Sequence, residues 1–318
     1  MSLLRPGICK AMTENVCSVL HNAEIRTVID FIVKDPEEIA RTCDIAYKDL
    51  LSIRRVLLAQ YSAFSVTASQ LYSNSLSCLA ILSTGISSLD KLLDGGLYTA
   101  EICEVVGEVA VGKTQICLHC ASSVATVHSQ NVVYIDTCGS FSAERLLDFM
   151  PEMDDSHESH QKAKENLSRI HCVRASDVFA LFGVLDNLVS NLTTKMSFFH
   201  SVKLVVVDSV ASVFHPVLGG KQMDSLALLE QLGLQLKQLA VDFCLAVLVS
   251  NNMTSGFEGK KQPSLGRLWS HVPHTRIILE RETNSLTKTS HRKAVLVKSM
   301  RQKTESSVIF DLACREKG

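Results

Sequence analysis

The residues Gly107-Glu108-Val109-Ala110-Val111-Gly112-Lys113-Thr114 have the form G-x-x-x-x-G-K-T, which is the pattern of a phosphate-binding loop. A short apolar run at residues 100–106 precedes them and predicts a buried strand. Residues 115–121 follow without glycine or proline and predict a helix. A strand, a glycine loop and a helix start in this order direct backbone N–H groups and the positive end of the helix at a phosphate. The stretch therefore predicts a site for a nucleoside triphosphate.

Two side chains of this loop have chemistry suited to that ligand. We expect Lys113 to reach the β- and γ-phosphates and the Thr114 hydroxyl to hold Mg²⁺. All eight residues of the loop are predicted to contact the nucleotide. The alternative is a glycine-rich turn that matches by chance, and four fixed positions with suitable flanks argue against it.

Composition places the chain among ordinary globular proteins. Its 318 residues are 46% hydrophobic and 20% charged, and this length suggests about two domains. The net charge of −1 excludes general polyanion binding, so a nucleic-acid surface would have to be a local patch. No apolar run approaches the length of a membrane span, and no secretory signal is recognisable, so we expect an intracellular protein without membrane contact.

The cysteines predict a reducing compartment. There are 11 of them, an odd number scattered along the chain, which does not suit a disulfide framework. Cys117 and Cys120 form a single C-x-x-C pair without the second pair that a zinc site would need. Because this pair lies inside the helix predicted after the phosphate loop, we interpret both as small buried side chains.

The pattern of the chain predicts an α/β core preceded by a small helical domain. Residues 1–61 carry helix starts and apolar stripes, and residues 62–82 are rich in Ser, Thr and Asn and are predicted to be a linker. From residue 83 to 318, strand-like and helical runs alternate, which predicts a mainly parallel sheet flanked by helices, with a meander of later strands at one edge. The charged stretch at residues 153–168 is predicted to be a surface loop.

Two strands end in carboxylates that suit a nucleotide site. Residues 204–207 lead into Asp208, and residues 132–135 lead into Asp136. We expect the strand of Asp208 to lie next to the strand of the phosphate loop, so that Asp208 orders Mg²⁺ or its water. Lys113 and Asp208 are the predicted catalytic residues. The alternative for one of the two carboxylates is a structural role, in which it caps the turn that follows its strand.

A family resemblance appears in the stretches around the loop, at residues 83–97, 133–141 and 144–146. Together with the loop they resemble the RecA-type recombinases of eukaryotes, over nearly the whole chain. Within that group the sequence is similar to the paralogues of the Rad51 strand-exchange protein, and most like the D-type paralogues. The resemblance implies a RecA-like P-loop ATPase core after a helical N-terminal domain, with ATP bound between adjacent subunits.

The resemblance also implies two loops that face single-stranded DNA, at residues 214–222 and 253–267. Both contain glycine and basic residues, a mixture that suits a phosphate backbone and stacked bases. Composition alone favours solvated flexible loops, and the family resemblance shifts the interpretation to DNA contact. A further basic stretch at residues 288–303 is either another DNA-facing rim or a charged edge strand. The predicted DNA-contacting side chains are Lys221, Phe257, Lys260, Lys261 and Arg267.

Three departures from the family pattern bear on activity. Cys138 stands where the strand-exchange enzymes carry a glutamate that activates water, and Asn252 stands where they carry a glutamine that senses the γ-phosphate. In the linker, Phe64 is followed by Thr67 instead of the alanine of the self-association pattern F-x-x-A. These changes predict weak hydrolysis and no self-polymerisation, while nucleotide binding is unaffected.

We therefore expect an ATP-binding recombinase paralogue that supports homologous recombination in a heteromeric complex with related paralogues. We expect it to bind single-stranded DNA, with weak DNA-stimulated ATPase activity, in the nucleus and the cytoplasm. Two rival hypotheses remain: an autonomous DNA-dependent motor with the same core, and a scaffold whose nucleotide site is vestigial.

Overall fold

The computed structural model describes residues 3–62, 65–150, 157–194, 196–218, 222–255, 261–282 and 290–312. The chain divides into two compact units, Met1–Asn74 and Ser75–Gly318. The boundary between them falls inside the stretch that the sequence predicts to be a linker. Each unit has a hydrophobic core of its own.

Short helices build the first unit. They are α1 Glu14–Asn22, α2 Val28–Val33, α3 Pro36–Cys43 and α4 Tyr47–Tyr61. Polar side chains cap the starts of the first three: Thr13 precedes α1, Thr27 forms a capping box with Asp30, and Asp35 precedes Pro36. The helices bury one apolar core, which includes Leu20, Phe31, Ile39, Leu50, Ile53 and Leu57.

The stretch predicted to be a linker contains a helix, α5 Ala68–Cys78. Thr67 accepts a hydrogen bond from the N–H of Gln70 at 3.2 Å, which satisfies one amide of its first turn. Serine and asparagine are only moderate helix formers, so their abundance suggested an irregular segment. No glycine or proline interrupts residues 65–84, however, and the backbone is free to close helical hydrogen bonds.

The second unit alternates strands and helices. In chain order its elements are β1 Ile81–Leu82, α6 Ser87–Leu92, β2 Leu97–Tyr98, β3 Ile102–Gly107, α7 Lys113–Thr126, β4 Asn131–Asp136, α8 Ala143–Asp148, α9 His157–Ser168, β5 Ile170–Arg174, α10 Val178–Thr193, β6 Val202–Asp208, α11 Val210–Leu218, α12 Gln222–Asp242, β7 Ala246–Ser255, β8 Lys261–Pro263, α13 Gly266–Trp269, β9 Thr275–Arg281, β10 His291–Lys298 and β11 Ser307–Asp311. Among the described residues, no helix is long and apolar enough to cross a lipid bilayer.

The described strands of the large sheet follow the order β11-β10-β9-β3-β7-β6-β4-β5, with β8 paired to β7. Neighbours from β9 to β5 run parallel, whereas β9, β10 and β11 form an antiparallel meander at one edge. The parallel sheet and the edge meander follow the sequence prediction. The predicted neighbour of the loop strand is wrong: β7 lies between β3 and β6, so the strand of Asp208 is one position further away.

Helices cover both faces of this sheet. On one face, Val105, Tyr134 and Val206 pack against α6, α7 and α8; on the other, Val133, Val205 and Val247 pack against α10, α11 and α12. Every residue of β3 and of β4 is buried, as expected for parallel strands covered on both sides. Cys117 and Cys120 are core residues on α7.

The charged stretch before β5 is helical where the sequence predicted a loop. Residues 157–168 form α9, and residues 151–156 lie outside the described part of the chain. Ala163 is buried on this helix, and the guanidinium of Arg169 donates to Glu165 at 3.0 Å. The long polar run suggested a loop because Ala163 and the half-buried Leu167 are too few apolar residues to form a visible apolar stripe.

A buried charge cluster lies beneath the start of the phosphate loop. Glu104 on β3 is completely buried and pairs with Arg276 of β9. Trp269 Nε1 and Asn251 Nδ2 each donate to its carboxylate at 2.8 Å, and Asn251 in turn accepts a hydrogen bond from Ser264. These contacts tie β3 to both neighbouring strands and to α13.

Candidate functional site

The phosphate loop has the backbone geometry that its sequence predicts. It begins at Gly107, the last residue of β3, and ends where Lys113 opens α7. Ala110 and Gly112 adopt positive φ angles of 60° and 108°. A Cβ on Gly107 would lie 2.6 Å from Val111 Cγ1 and 2.9 Å from Leu279 O, so only glycine fits there. The loop is therefore a tight cradle at the amino end of a buried helix.

Lys113 folds over this cradle. Its Nζ donates to the carbonyl oxygen of Gly107 at 2.9 Å and to that of Glu108 at 2.8 Å. Burial lowers the pKa of Lys113, and the nearby charge of Asp208 opposes this shift. The ammonium group is thus inside the loop, and the half-buried Thr114 lies beside it in the first turn of α7.

The two strand-end carboxylates have different surroundings. Asp136 accepts four backbone hydrogen bonds, from the N–H groups of residues 138, 139, 140 and 141 at 3.1, 2.8, 3.2 and 3.2 Å. Asp208 instead accepts hydrogen bonds from two hydroxyl groups, Tyr134 Oη at 3.0 Å and Ser250 Oγ. Asp136 is therefore fully used in capping the turn after β4, whereas Asp208 is held by side chains from both neighbouring strands.

Cys138 lies in that turn, on the surface beside the end of β6. Its Sγ is 3.7 Å from Thr137 Oγ1 and 3.9 Å from Ser209 Oγ, and Ser209 directly follows Asp208. Cys138 is also close enough to Lys113 for its charge to affect the pKa of the ammonium group. The thiol is thus next to the loop, at the position that the family pattern assigns to water activation.

In the second predicted DNA loop, the residues that the structure describes, 253–255 and 261–267, are mainly regular structure. Residues 253–255 continue β7, and residues 261–263 form β8, which pairs with it. Lys261 is exposed and forms an ion pair with Glu108 of the phosphate loop, and Arg267 is exposed on α13. Asn252 lies opposite Gly107 in the strand register. Phe257 and Lys260 lie outside the described residues.

In the first predicted DNA loop, the described residues 214–218 and 222 are helical. α11 continues to Leu218, and Phe214 is completely buried in the core. The sequence placed Phe214 at the start of this loop, but its helical spacing from Val210 puts it on the buried face of α11. α12 begins at Gln222, and Lys221 lies outside the described residues.

Several polar residues around the loop were missed from the sequence. Tyr134 and Ser250 hold Asp208, and Arg281 and Arg292 contact the loop backbone. Hydroxyl groups inside apolar strands and arginines on the inner strands of the edge meander have no local signature. Their partners come from distant parts of the chain.

These residues fit a nucleotide with a divalent metal. The glycine cradle, the helix start and Lys113 suit phosphate oxygens. Among the described residues, no cluster of three or more His, Cys, Asp or Glu side chains would hold a metal by itself. Magnesium does not require one, because it is usually held by one or two protein oxygens together with substrate phosphates, and Thr114 and Asp208 offer such oxygens.

Known protein families match this architecture along nearly all of the chain. The Rad51 family model matches residues 76–313, and the model of the RAD51D N-terminal domain matches residues 1–60. The chain belongs to the Rad51 family. Its core is accordingly a RecA-like domain, a mostly parallel sheet flanked by helices after a helical N-terminal region.

Several relatives extend this assignment. The "DNA repair protein RAD51 homolog 4" of Bos taurus is 44% identical over 98% of this chain and 95% of its own length. The protein of the same name in Mus musculus is 43% identical over 98% of this chain and 95% of its own length. An archaeal "DNA repair and recombination protein RadA" of Aeropyrum pernix is 28% identical over 77% of each chain. The fold of this Rad51-family chain thus implies a nucleotide and a divalent metal.

The different roles of the two carboxylates lead to a prediction. Asp136→Asn exchanges an acceptor oxygen for a donor that faces backbone N–H groups, so we expect the free energy of unfolding to fall by about 1–3 kcal/mol. We expect the Mg²⁺ dependence of nucleotide affinity to stay unchanged in this variant. For Asp208→Asn we expect the reverse: a weaker Mg²⁺ dependence of nucleotide affinity, and a free energy of unfolding close to that of the wild type. Urea denaturation and nucleotide titrations over a range of Mg²⁺ concentrations measure both. A loss of Mg²⁺ dependence in Asp136→Asn alone would contradict the assignment.

Proposed function

We propose that this chain is an ATP-binding Rad51 paralogue that supports homologous-recombination repair of DNA within a heteromeric complex of related paralogues. One observation carries the proposal: a complete phosphate cradle around Lys113 lies beside Cys138 instead of a water-activating carboxylate. In this proposal ATP acts mainly as a clamp at a subunit boundary, and it is hydrolysed slowly.

Nucleotide binding would change the partners of a few side chains. Lys113 would exchange the carbonyl oxygens of Gly107 and Glu108 for phosphate oxygens, which carry more negative charge. The Thr114 hydroxyl and the Asp208 carboxylate would hold Mg²⁺. Bound Mg²⁺ supplies charge neutralisation at the β- and γ-phosphates. The hydrogen bonds from Tyr134 and Ser250 would keep Asp208 in position for this.

Slow hydrolysis is supported by the carboxylates near the loop. A water-activating base needs an acceptor that is free to take a proton. Asp136 already accepts four backbone N–H groups, and Glu108 is paired with Lys261. That ion pair lowers the pKa of Glu108, which makes it a weaker base. Cys138 is a thiol, without the fixed charge of a carboxylate.

DNA and protein partners are proposed from the surface and the relatives. Lys261 and Arg267 are exposed on one continuous segment and can approach a phosphate backbone, where Lys261 would exchange Glu108 for a DNA phosphate. The bovine and mouse relatives are named DNA repair proteins, which supports single-stranded DNA as the substrate and the nucleus as the place of action. Thr67, in place of the alanine of the self-association pattern, favours related paralogues over further copies of this chain as partners.

The role of ATP in assembly is tested by Lys113→Arg. The longer, planar guanidinium does not fit a cradle built for a compact ammonium group, so nucleotide binding should be lost. We expect co-purification of related paralogues with the wild-type chain to increase when ATP and Mg²⁺ are present. We expect no such increase with the variant. Equal recovery of partners by both chains, with and without ATP, would favour a scaffold with a vestigial site.

The role of Cys138 is tested by Cys138→Glu, with Cys138→Ser as the control. We expect slow ATP turnover by the wild type and a rise of at least about tenfold in Cys138→Glu, because a positioned general base typically contributes about 10²–10⁴-fold. The serine control should turn over ATP as slowly as the wild type. Steady-state phosphate release with and without single-stranded DNA measures this. Rapid wild-type turnover without partners would instead indicate an autonomous motor.

A further inference from the structure

Two arginines on strands β9 and β10 of the meander contact the backbone of the phosphate loop, although neither belongs to the loop motif. Arg292 Nε donates to the carbonyl oxygen of Val111 at 2.7 Å, and its Nη1 donates to that of His291 at 2.8 Å. Arg281 Nη2 donates to the carbonyl oxygen of Ala110 at 3.3 Å. Two consecutive carbonyl groups of the loop are thus bonded to guanidinium groups, although the arginines lie more than 165 residues later in the sequence.

These arginines face each other across two strands. Arg281 on β9 and Arg292 on β10 are direct partners in the antiparallel register. Like charges at opposed positions destabilise a sheet. Burial lowers the pKa of Arg292, the charge of Arg281 lowers it further, and the charge of Asp311 opposes these effects. The sheet gains no stability from this pair of like charges. We therefore explain the position of the pair behind an anion-binding loop by a role in anion binding.

The geometry of the peptide bond connects the arginines to the phosphate-binding amides. A peptide unit is planar and trans, so its N–H points away from its C=O. A guanidinium that fixes the Val111 carbonyl therefore also fixes the direction of the Gly112 N–H. Arg281 holds the preceding peptide unit over a longer hydrogen bond to the carbonyl oxygen of Ala110, and the N–H of that unit, on Val111, donates to the carbonyl oxygen of Glu108 at 3.4 Å. The side chain of Leu312 fills the space beside Gly112, where a Cβ would overlap it, and supports the loop on the same side.

We propose that Arg281 and Arg292 are positioning residues for the triphosphate. Arg292 holds the amide of Gly112 toward the phosphates, Arg281 supports the preceding peptide unit, and together they place two positive charges behind the loop. This inference rests on the proposed function, since it specifies how the same loop binds its nucleotide. Arg292 has the larger role because its hydrogen bond to the loop is shorter and its guanidinium also donates to a second carbonyl group, that of His291.

The test compares variants of the full chain by nucleotide titration and by thermal melting without nucleotide. Arg292→Met removes both the charge and the hydrogen bond, and we expect ATP and ADP to bind about tenfold more weakly, the loss associated with one charge-assisted hydrogen bond. Arg292→Lys keeps the charge but not the planar grip, and we expect a loss of about threefold. Arg281→Met should also lose about threefold, because its hydrogen bond is longer. Lys164→Met, on the exposed side of α9, removes one charge elsewhere in the same unit and should bind as the wild type does.

A positioning role requires the affinity to fall while the melting temperature without nucleotide stays close to that of the wild type. If Arg292→Met does not fold, Arg292→Lys decides the question by the same two measurements. Arginine variants that bind nucleotide as tightly as Lys164→Met would overturn the inference. Losses of affinity that are accompanied by a lower melting temperature would also overturn it, and would show that the arginines only stabilise the fold. If the wild type binds neither ATP nor ADP, the proposed function itself fails, whatever the arginine variants do.

Discussion

The buried carboxylate of Glu104 is the constraint on which the position of the phosphate loop depends. It lies on β3, three residues before the loop begins, and leaving such a charge unpaired costs about 3–5 kcal/mol. Arg276, Trp269 and Asn251 satisfy it from β9, α13 and β7. β3 cannot slide along either neighbour without breaking this cluster, so the cradle starts from a fixed point. The same strand β7 also supplies Ser250 to Asp208, which joins the carboxylate that we propose as a Mg²⁺ ligand to the same frame.

Local patterns in the sequence were sufficient for the loop, its strand and helix, and the parallel sheet with an edge meander. They failed where the result depends on long-range pairing. The placement of Asp208 next to the loop strand was wrong because strand order is decided by packing of the whole sheet, and β7 takes that place. Tyr134 and Arg292 gave no signal, since their partners lie 74 and 181 residues away. Phe214 was assigned to a DNA loop although its helical spacing from Val210 marks a core position.

In the function that we propose, the site holds a triphosphate and cleaves it slowly. Its positive groups converge on the loop, with Lys113 inside and Arg292 behind. Asp208 is the carboxylate proposed for Mg²⁺, and two other carboxylates near the loop are occupied elsewhere: Asp136 by four amides of its own turn, and Glu108 by Lys261. Binding and hydrolysis rely on different residues in phosphate-loop proteins, so one can be retained while the other is lost. A Rad51-family subunit of this kind would use the nucleotide as part of its structure within an assembly.

The central claim is that a triphosphate binds at Lys113. Titration calorimetry of the wild-type chain with ATP and Mg²⁺, alone and together with related paralogues, tests it most directly, with Lys113→Ala as the comparison. Our account predicts saturable binding by the wild type at about one nucleotide per chain, and none by the variant. No heat of binding from the wild type in either setting, or equal binding by the variant, would contradict it.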